Sequence, residues 1–293
     1  MNKYVILQIS GGIGKVVAST AVCRAIKKTH PDRQLVVLSG YPDVFLNNPN
    51  VYRAYGFGQA SYFYDEFINE KDTIVFAHDP YLDNGFVEGK KHLNEVWCDM
   101  FDLKYDGEKP EIFLTDREVQ FNAAKFQSDK PILLMQTNGG AQGQAIKYSW
   151  ARDIPSSVVL PVIEEFSAEY NIVHIRREDQ PSYEKTFVVT DNFRSIVTLI
   201  SMSKKRLFMD SFAQHTAAAL AMPSVVLWVA NTPVQFGYDL HKNILANPFT
   251  TSSELKNSYL QKFDISGDPV QFPYRSESEI FNADEIIKAL KED

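Results

Sequence analysis

The sequence predicts an α/β protein built from two doubly wound, Rossmann-like domains that face each other across a cleft. Three observations predict it. Short apolar runs bounded by glycine or polar residues recur along the chain, as buried parallel strands require. Stretches with helical spacing separate them, so strands and helices alternate rather than forming blocks of one kind. The alternation pauses over residues 104–130 and then restarts, so two series of about domain size follow one another in 293 residues.

Val5-Ile6-Leu7-Gln8-Ile9 is the first strand. Helical spacing from 16 to 28 places Val17, Ala21, Ala25 and Ile26 on one side, and His30-Pro31-Asp32 breaks it. Strands at 34–39 and 73–78 follow, the latter leading into a polar loop through Gly89. A helix carrying Leu93, Val96, Trp97 and Phe101 closes the first series, and a helical stretch near 116–127 bridges to the second. The second series reads as strand 131–137, helix 158–170, strand 171–175, helix 193–202, strand 206–209, helix 213–221 and strand 224–229. Residues 231–277 read as irregular and rich in Phe, Tyr and Pro, before a last helix at 283–290. The expected division is 1–127, 128–281 and a terminal helix at 282–293, with no internal repeat.

A net charge of −7 and a pI near 5.5 argue against a nonspecific polyanion binder. Small basic clusters at Lys27-Lys28, Lys90-Lys91, Arg176-Arg177 and Lys204-Lys205-Arg206 leave a local basic groove open. Cys23 and Cys98 are too few for a disulfide framework and lack metal-ligand spacing. No stretch reads as a signal peptide or a membrane span, so a soluble, cytoplasmic protein is expected.

The segment 206–220 holds the sharpest functional signal. An apolar strand runs into Asp210-Ser211, which opens a small-residue helix carrying His215. Such an edge aims unpaired backbone N–H groups and the positive end of the helix dipole at one point, where a phosphate would sit beside Asp210 and His215. The plain alternative is that Ser211 only caps a helix and His215 is a surface residue. Gly11-Gly12-Ile13-Gly14-Lys15 follows the first strand, but it is not a P-loop. Ile9 stands where the first glycine belongs, and Val16 replaces the Ser or Thr after the lysine. Val17 likewise breaks a dinucleotide fingerprint. What remains is a loop that lets a ligand or the opposite domain approach the backbone.

Three patches resemble the heptosyltransferase-like glycosyltransferase family 9, which has the GT-B fold. They are Gly12-Ile13-Gly14-Lys15 through Thr20-Ala21, then Thr137-Asn138-Gly139-Gly140 with Lys147 and Trp150, and Asp210-Ser211-Phe212-Ala213-Gln214-His215 with Thr216-Ala217-Ala218-Ala219. The last is similar to the family's Asp-Ser/Thr-Gly-x-x-His-x-x-Ala-Ala signature. The resemblance implies a nucleotide-diphosphate sugar as substrate, with Thr137, Asn138 and Lys147 on the diphosphate and Asp210, Ser211 and His215 around sugar and phosphates. No other cofactor is implied, and without an Asp-x-Asp triplet no metal is expected. Family members carry an aspartate where Lys15 stands, thought to deprotonate the acceptor. Lys15 would then bind an anion, and the loop after strand 73–78 offers His78, Asp79 and Asp83, with Asp79 the expected substitute base. Phe212 replaces the usual glycine, so the donor sugar is open.

The expected activity is an inverting, metal-independent glycosyl transfer. A bacterial surface saccharide is the favoured acceptor, and a hydroxymethylated DNA base is the alternative. A non-catalytic nucleotide-sugar binder and a sugar-nucleotide epimerase of related fold are the other readings. Oligomeric state is not legible.

Overall fold

The computed structural model describes residues 2–139, 150–250 and 272–292. Strand β1 (Lys3–Ile9) buries Tyr4, Val5, Ile6, Leu7 and Ile9, the continuous apolar pattern of a strand covered on both faces. It pairs in parallel with β2 (Gln34–Ser39), with Ile9 opposite Ser39, and β2 pairs with β3 (Arg53–Tyr55). On its other side β1 pairs with β4 (Asp72–Phe76), giving the order β3-β2-β1-β4. The second sheet contains β5 (Ile132–Gln136), β6 (Asn171–Ile175), β7 (Thr186–Val189), β8 (Lys205–Met209), β9 (Val225–Trp228) and β10 (Lys242–Leu245). Its order is β10-β9-β8-β5-β6-β7, and every described pairing is parallel.

Both sheets are doubly wound, because the first strand of each series lies between the second and the fourth. The order in which strands are added therefore reverses at β1/β4 in one sheet and at β5/β8 in the other. Loops leaving the carboxyl ends of such a strand pair diverge to opposite faces and open a crevice where ligands bind. At β1/β4 these loops carry Gly11 to Lys15 and Ala77 to Asp79. At β5/β8 they carry Thr137 to Gly139 and Asp210-Ser211.

The two halves share apolar packing. Val5, Leu7, Val22 and Trp97 belong to one buried cluster with Val197, Val226, Trp228 and Phe236 of the second half. A second cluster joins Val158, Val162 and Leu207 to Ile286, Ala289 and Leu290 of the terminal helix Ala283–Glu292. Arg194, on helix Phe193–Met202, fastens the bridging segment. Its guanidinium meets both Glu118 oxygens at 2.7 and 2.9 Å and donates to the Phe113 carbonyl at 2.6 Å. That paired, charge-assisted bond pulls the Glu118 carboxyl down to about 2. Glu118 also completes a capping box with Thr115 at the start of helix Asp116–Lys125.

The structure departs from the sequence expectation mainly at edges. β3, β7 and β10 lie in segments without a strand signal, because an edge strand buries little. Phe187 and Val188 of β7, for example, are exposed. The expected irregular tail holds β10 and a short helix, Pro233–Phe236, among its described residues. The expected helix at 16–28 is interrupted at Ser19 between helices Ile13–Ala18 and Thr20–Thr29. There the Ser19 and Thr20 hydroxyls bond back to the Val16 and Val17 carbonyls. Among the described residues, no helix is long and apolar enough to cross a membrane.

Candidate active site

At the β1/β4 crevice, helix Ile13–Ala18 turns Lys15 inward, and its side chain is 3% exposed. The ammonium sits 2.7 Å from Asp79 Oδ1, 4.4 Å from the Tyr81 ring centre and 5.5 Å from the Trp97 ring. Burial lowers the Lys15 pKa, and the Asp79 carboxylate pushes it back up. Asp79 Oδ1 also accepts from the Tyr81 N–H at 3.0 Å, capping a single 3-10 turn at Pro80–Leu82. Both bonds converge on Oδ1 of a carboxylate that is 33% exposed. The structure thus pairs the lysine expected to bind an anion with the carboxylate expected to be the substitute base. Asp83 is committed to capping the next helix through Gly85 N at 2.7 Å, while His78 and Gly12 are exposed.

At the β5/β8 crevice, Thr137 and Asn138 are buried at the end of β5. The Thr137 hydroxyl donates to Asn138 Oδ1 at 2.8 Å and lies 2.8 Å from His174 Nε2. With its only proton so used, the hydroxyl accepts from His174, which assigns the proton to Nε2 of a ring that burial pulls down to about 4. Asn138 Nδ2 is buried with no hydrogen-bond partner among the described residues. Gly139 turns the chain tightly: its N–H donates to Asp153 Oδ1 at 2.9 Å, and its carbonyl accepts from Gln180 at 3.1 Å and Arg177 at 3.3 Å. A Cβ there would lie 2.9 Å from Arg152 Nε, so a larger residue would displace that side chain. Arg152 in turn donates to the Asp210 carbonyl at 3.2 Å, and the Asp210 carboxylate takes a bond from Asn231 Nδ2. Burial raises the Asp210 pKa, opposed by Arg152 and Asn231.

Ser211 stands at the N-cap of helix Phe212–Ala219, but its hydroxyl makes no capping bond among the described residues. The plain alternative, a capping Ser211 and a surface His215, finds no capping bond among the described residues and a buried His215. The first-turn N–H groups therefore have no side-chain acceptor from Ser211. His215 is buried, with Nδ1 2.8 Å from the Tyr238 hydroxyl. Burial, then the neighbouring His92, His241 and Arg152, bring its pKa down to about 3. Gly14 comes up against this helix end, so the corner is narrower than the sequence implied. A Cβ on Gly14 would lie 3.2 Å from His215 Cδ2 and 3.3 Å from the Phe212 Cα. His92 and Tyr238 meet across the same seam with ring centres 5.4 Å apart, and Gln235 Nε2 donates to the Phe86 carbonyl at 3.1 Å.

Gly14→Leu is therefore expected to overpack the seam and cost about 2 kcal/mol, read as a lowered urea midpoint at unchanged m. A midpoint equal to that of the wild type would contradict the close approach.

Lys147 and Gly140 lie outside the described residues. Sequence reasoning missed Arg152, Asp153, Asn231 and Tyr238. It noted Arg177 only as part of a basic pair. The available signal was position: Arg176-Arg177 directly follow β6, and Asn231 is the third residue after β9, both at carboxyl strand ends. In chemical terms the second crevice holds the Arg152 guanidinium, the Arg177 guanidinium paired with Asp179 at 3.1 Å, and, among the described residues, an amide donor without a partner and a helix start without a side-chain cap. The first offers a carboxylate steadied by a buried ammonium.

No family model and no curated protein matches this sequence. Solved structures do match. A glycosyl transferase family 9 protein from Veillonella parvula DSM 2008 is 14% identical with a TM-score of 0.70, covering 99% of this chain and 96% of that one. The Escherichia coli ADP-heptose LPS heptosyltransferase II is 14% identical with a TM-score of 0.69, over 99% and 98% of the two chains. The iron-containing dodecameric glycosyltransferase TibC from enterotoxigenic E. coli H10407 is 13% identical with a TM-score of 0.67, over 99% and 75%. What the chain shares with them is the fold: two doubly wound α/β halves in the GT-B arrangement.

Proposed function

We propose that this protein is a divergent family 9 glycosyltransferase, transferring a sugar from a nucleotide-diphosphate sugar to an acceptor hydroxyl with inversion and without a metal. The observation that carries the reading is the gathering at β5/β8 of Arg152 with a helix start and an Asn138 amide that, among the described residues, have no side-chain cap and no hydrogen-bond partner respectively. Three independent features there each favour an anion. The fold likeness to glycosyltransferases supports it. TibC, one of the similar structures, has also been solved in complex with ADP-D-beta-D-heptose.

In this proposal the donor diphosphate lies along Thr137 to Gly139 and the Phe212 end of the helix, with Lys147 as a further ligand that the family resemblance implies. Asp210, Ser211 and His215 flank the sugar and phosphates. As the bond from the anomeric carbon to the phosphate oxygen breaks, its electron pair passes to the leaving diphosphate. Positive groups aimed there stabilise the transition state more than the ground state. Arg152, Arg177 and the helix dipole take the part a cation would otherwise play. The acceptor oxygen attacks the opposite face and gives its proton to Asp79, whose Oδ2 is not engaged by the bonds that hold Oδ1. Lys15 is the positioning residue: buried and bonded, it fixes the carboxylate beside the glycine loop formed by Gly12 and Gly14.

The test is turnover of ADP-, GDP- and UDP-sugars with chelator present, followed by proton NMR of the anomeric product. The expected result is nucleoside diphosphate release undiminished by chelator, with a product of inverted anomeric configuration. Retention, or loss of turnover on chelation, contradicts the mechanism. Lys15 at the family's aspartate position also supports a second reading, a non-catalytic nucleotide-sugar binder. Donor binding with no turnover on any acceptor would favour that reading.

A further inference from the structure

His215 lies in the first turn of helix Phe212–Ala219, at the seam between the halves, with Tyr238 against one edge of its ring and Gly14 against the other. We infer that Tyr238 is a positioning residue: its hydroxyl donates to His215 Nδ1 and leaves the ring proton on Nε2, facing the glycine loop. In that state His215 is an uncharged hydrogen-bond donor to the nucleotide diphosphate and cannot act as a base. The inference rests on the transferase reading and adds the residue that sets the state of His215.

The direction of the bond is the first argument. His215 Nδ1 and the Tyr238 oxygen are 2.8 Å apart, and both residues are buried. If the ring donated from Nδ1, the phenol proton would be buried without an acceptor, since the hydroxyl has no other partner among the described residues. An imidazolium would strand the same proton, because both of its nitrogens donate. Only the hydroxyl donating to a bare Nδ1 satisfies both groups. Burial acts in the same direction: with the neighbouring His92, His241 and Arg152 it brings the His215 pKa down to about 3, and it holds the Tyr238 phenol protonated.

The second argument is where Nε2 points. The carbon bonded to it, Cδ2, faces the glycine loop, where a Cβ on Gly14 would lie 3.2 Å away. Nε2 therefore belongs to the part of the ring turned toward the first half, away from the Tyr238 anchor. No acceptor meets it among the described residues. A ligand between the glycine loop and the Phe212 helix start would supply one.

Tyr238 is itself firmly held. Its carbonyl accepts from the His241 N–H at 3.0 Å and from Asn243 Nδ2 at 3.1 Å. Its ring packs edge-on to His241 at 5.9 Å and against His92 at 5.4 Å. His241 Nε2 lies 3.0 Å from the Gln214 carbonyl, which can only accept, so the Tyr238 loop is tied to the helix that bears His215.

The test labels the histidine rings with nitrogen-15 and reads them by NMR at pH 7.5, with and without ADP, GDP and UDP. Comparison with His215→Gln assigns the His215 pair among the six histidines. The expected His215 has a bare Nδ1 and a protonated Nε2, and the Nε2–H signal moves when a nucleoside diphosphate binds. With the ADP-, GDP- or UDP-sugar that turns over, Tyr238→Phe should lower kcat about tenfold and change KM less than about twofold, because the charge on the diphosphate grows as the bond breaks. His215→Gln keeps an N–H at the ε position with no tautomer to set. In that background Tyr238→Phe should change kcat less than about twofold. Thermal melts check that the variants fold, and the wild-type nitrogen signals decide the ring state even where one does not. The inference is overturned by a proton on Nδ1, by an Nε2–H signal indifferent to a bound nucleotide, or by equal kcat losses in the two backgrounds, which mark a purely structural tyrosine. A nucleotide that binds beside an Nδ1-protonated His215 removes the inference alone. If no nucleotide binds and no nucleotide sugar turns over, the transferase reading fails and takes the inference with it.

Discussion

Asp79→Asn is expected to lower kcat by about 10²- to 10⁴-fold, the usual contribution of a positioned general base, with little change in donor KM. The amide keeps the shape of the carboxylate but cannot take the acceptor proton. The same substitution strips the partner from Lys15, whose side chain is 3% exposed. An uncompensated buried charge costs several kcal/mol. Because the Asp79 carboxylate is 33% exposed, about 2 kcal/mol is the expected loss here. Lys15→Met alone should also reduce kcat, through a carboxylate no longer held in place. The double variant Lys15→Met/Asp79→Asn should recover most of the lost stability, since neither charge is then stranded, while turnover stays low. Urea midpoints and initial rates on the four proteins give the cycle. Recovery of turnover in the double variant, or an Asp79→Asn protein of wild-type rate, would exclude Asp79 as the base.

Acid should unfold this protein well before its carboxylates titrate. His92, His174 and His241 are pulled down to about 4, and His215 to about 3, chiefly by burial. All four are neutral in the fold at pH 7. Unfolding returns each ring to an ordinary pKa of about 6.5, so between pH 6.5 and about 4 the unfolded chain binds more protons than the native one. Stability therefore falls as pH falls through that window. At pH 5 each independent histidine subtracts about 2 kcal/mol. His92, His215 and His241 influence one another, so their protons are taken up as a group rather than singly. A total of several kcal/mol is comparable with the whole stability of an ordinary domain. Urea midpoints measured from pH 7.5 to 4.5 should drop steeply below about pH 6. Glu118 gives an internal contrast. Its folded value is depressed to about 2, so its contribution is lost only below about pH 4.5. A midpoint flat from pH 7 to 5 would show that these rings are not buried neutral.

The central strands were legible because burial on both faces leaves an unbroken apolar run. β1, β5 and β9 show it, while β8 carries it only over Leu207-Phe208-Met209, after the buried Lys205 and Arg206. β3, β7 and β10 were not legible, since an edge strand three or four residues long needs no such run. The glycine loop was read correctly as a close-approach turn, but the sequence could not say what approaches it; the helix bearing Phe212 and His215 does. Lys15 looked like an anion ligand, because nothing in the local pattern reveals a lysine turned inward beneath Tyr81 and Trp97. Its pairing with Asp79 joins residues 64 apart in the chain and depends on the β1/β4 adjacency. Arg152 and Asn231 were invisible for the same reason: each meets Asp210 only through the order of the strands.

Glycosyl transfer as proposed requires an anion held between Asn138, Arg152 and the Phe212 helix start. The most direct measurement is a thermal shift with ADP, GDP, UDP and their sugar conjugates, on the wild type and on Arg152→Ala. At one hundred times its dissociation constant a ligand adds about 2.7 kcal/mol to stability, an easily resolved rise in Tm. The predicted result is a clear rise with at least one nucleoside diphosphate, reduced by Arg152→Ala. A wild-type Tm that no nucleotide moves, or a rise that Arg152→Ala leaves intact, would contradict the account.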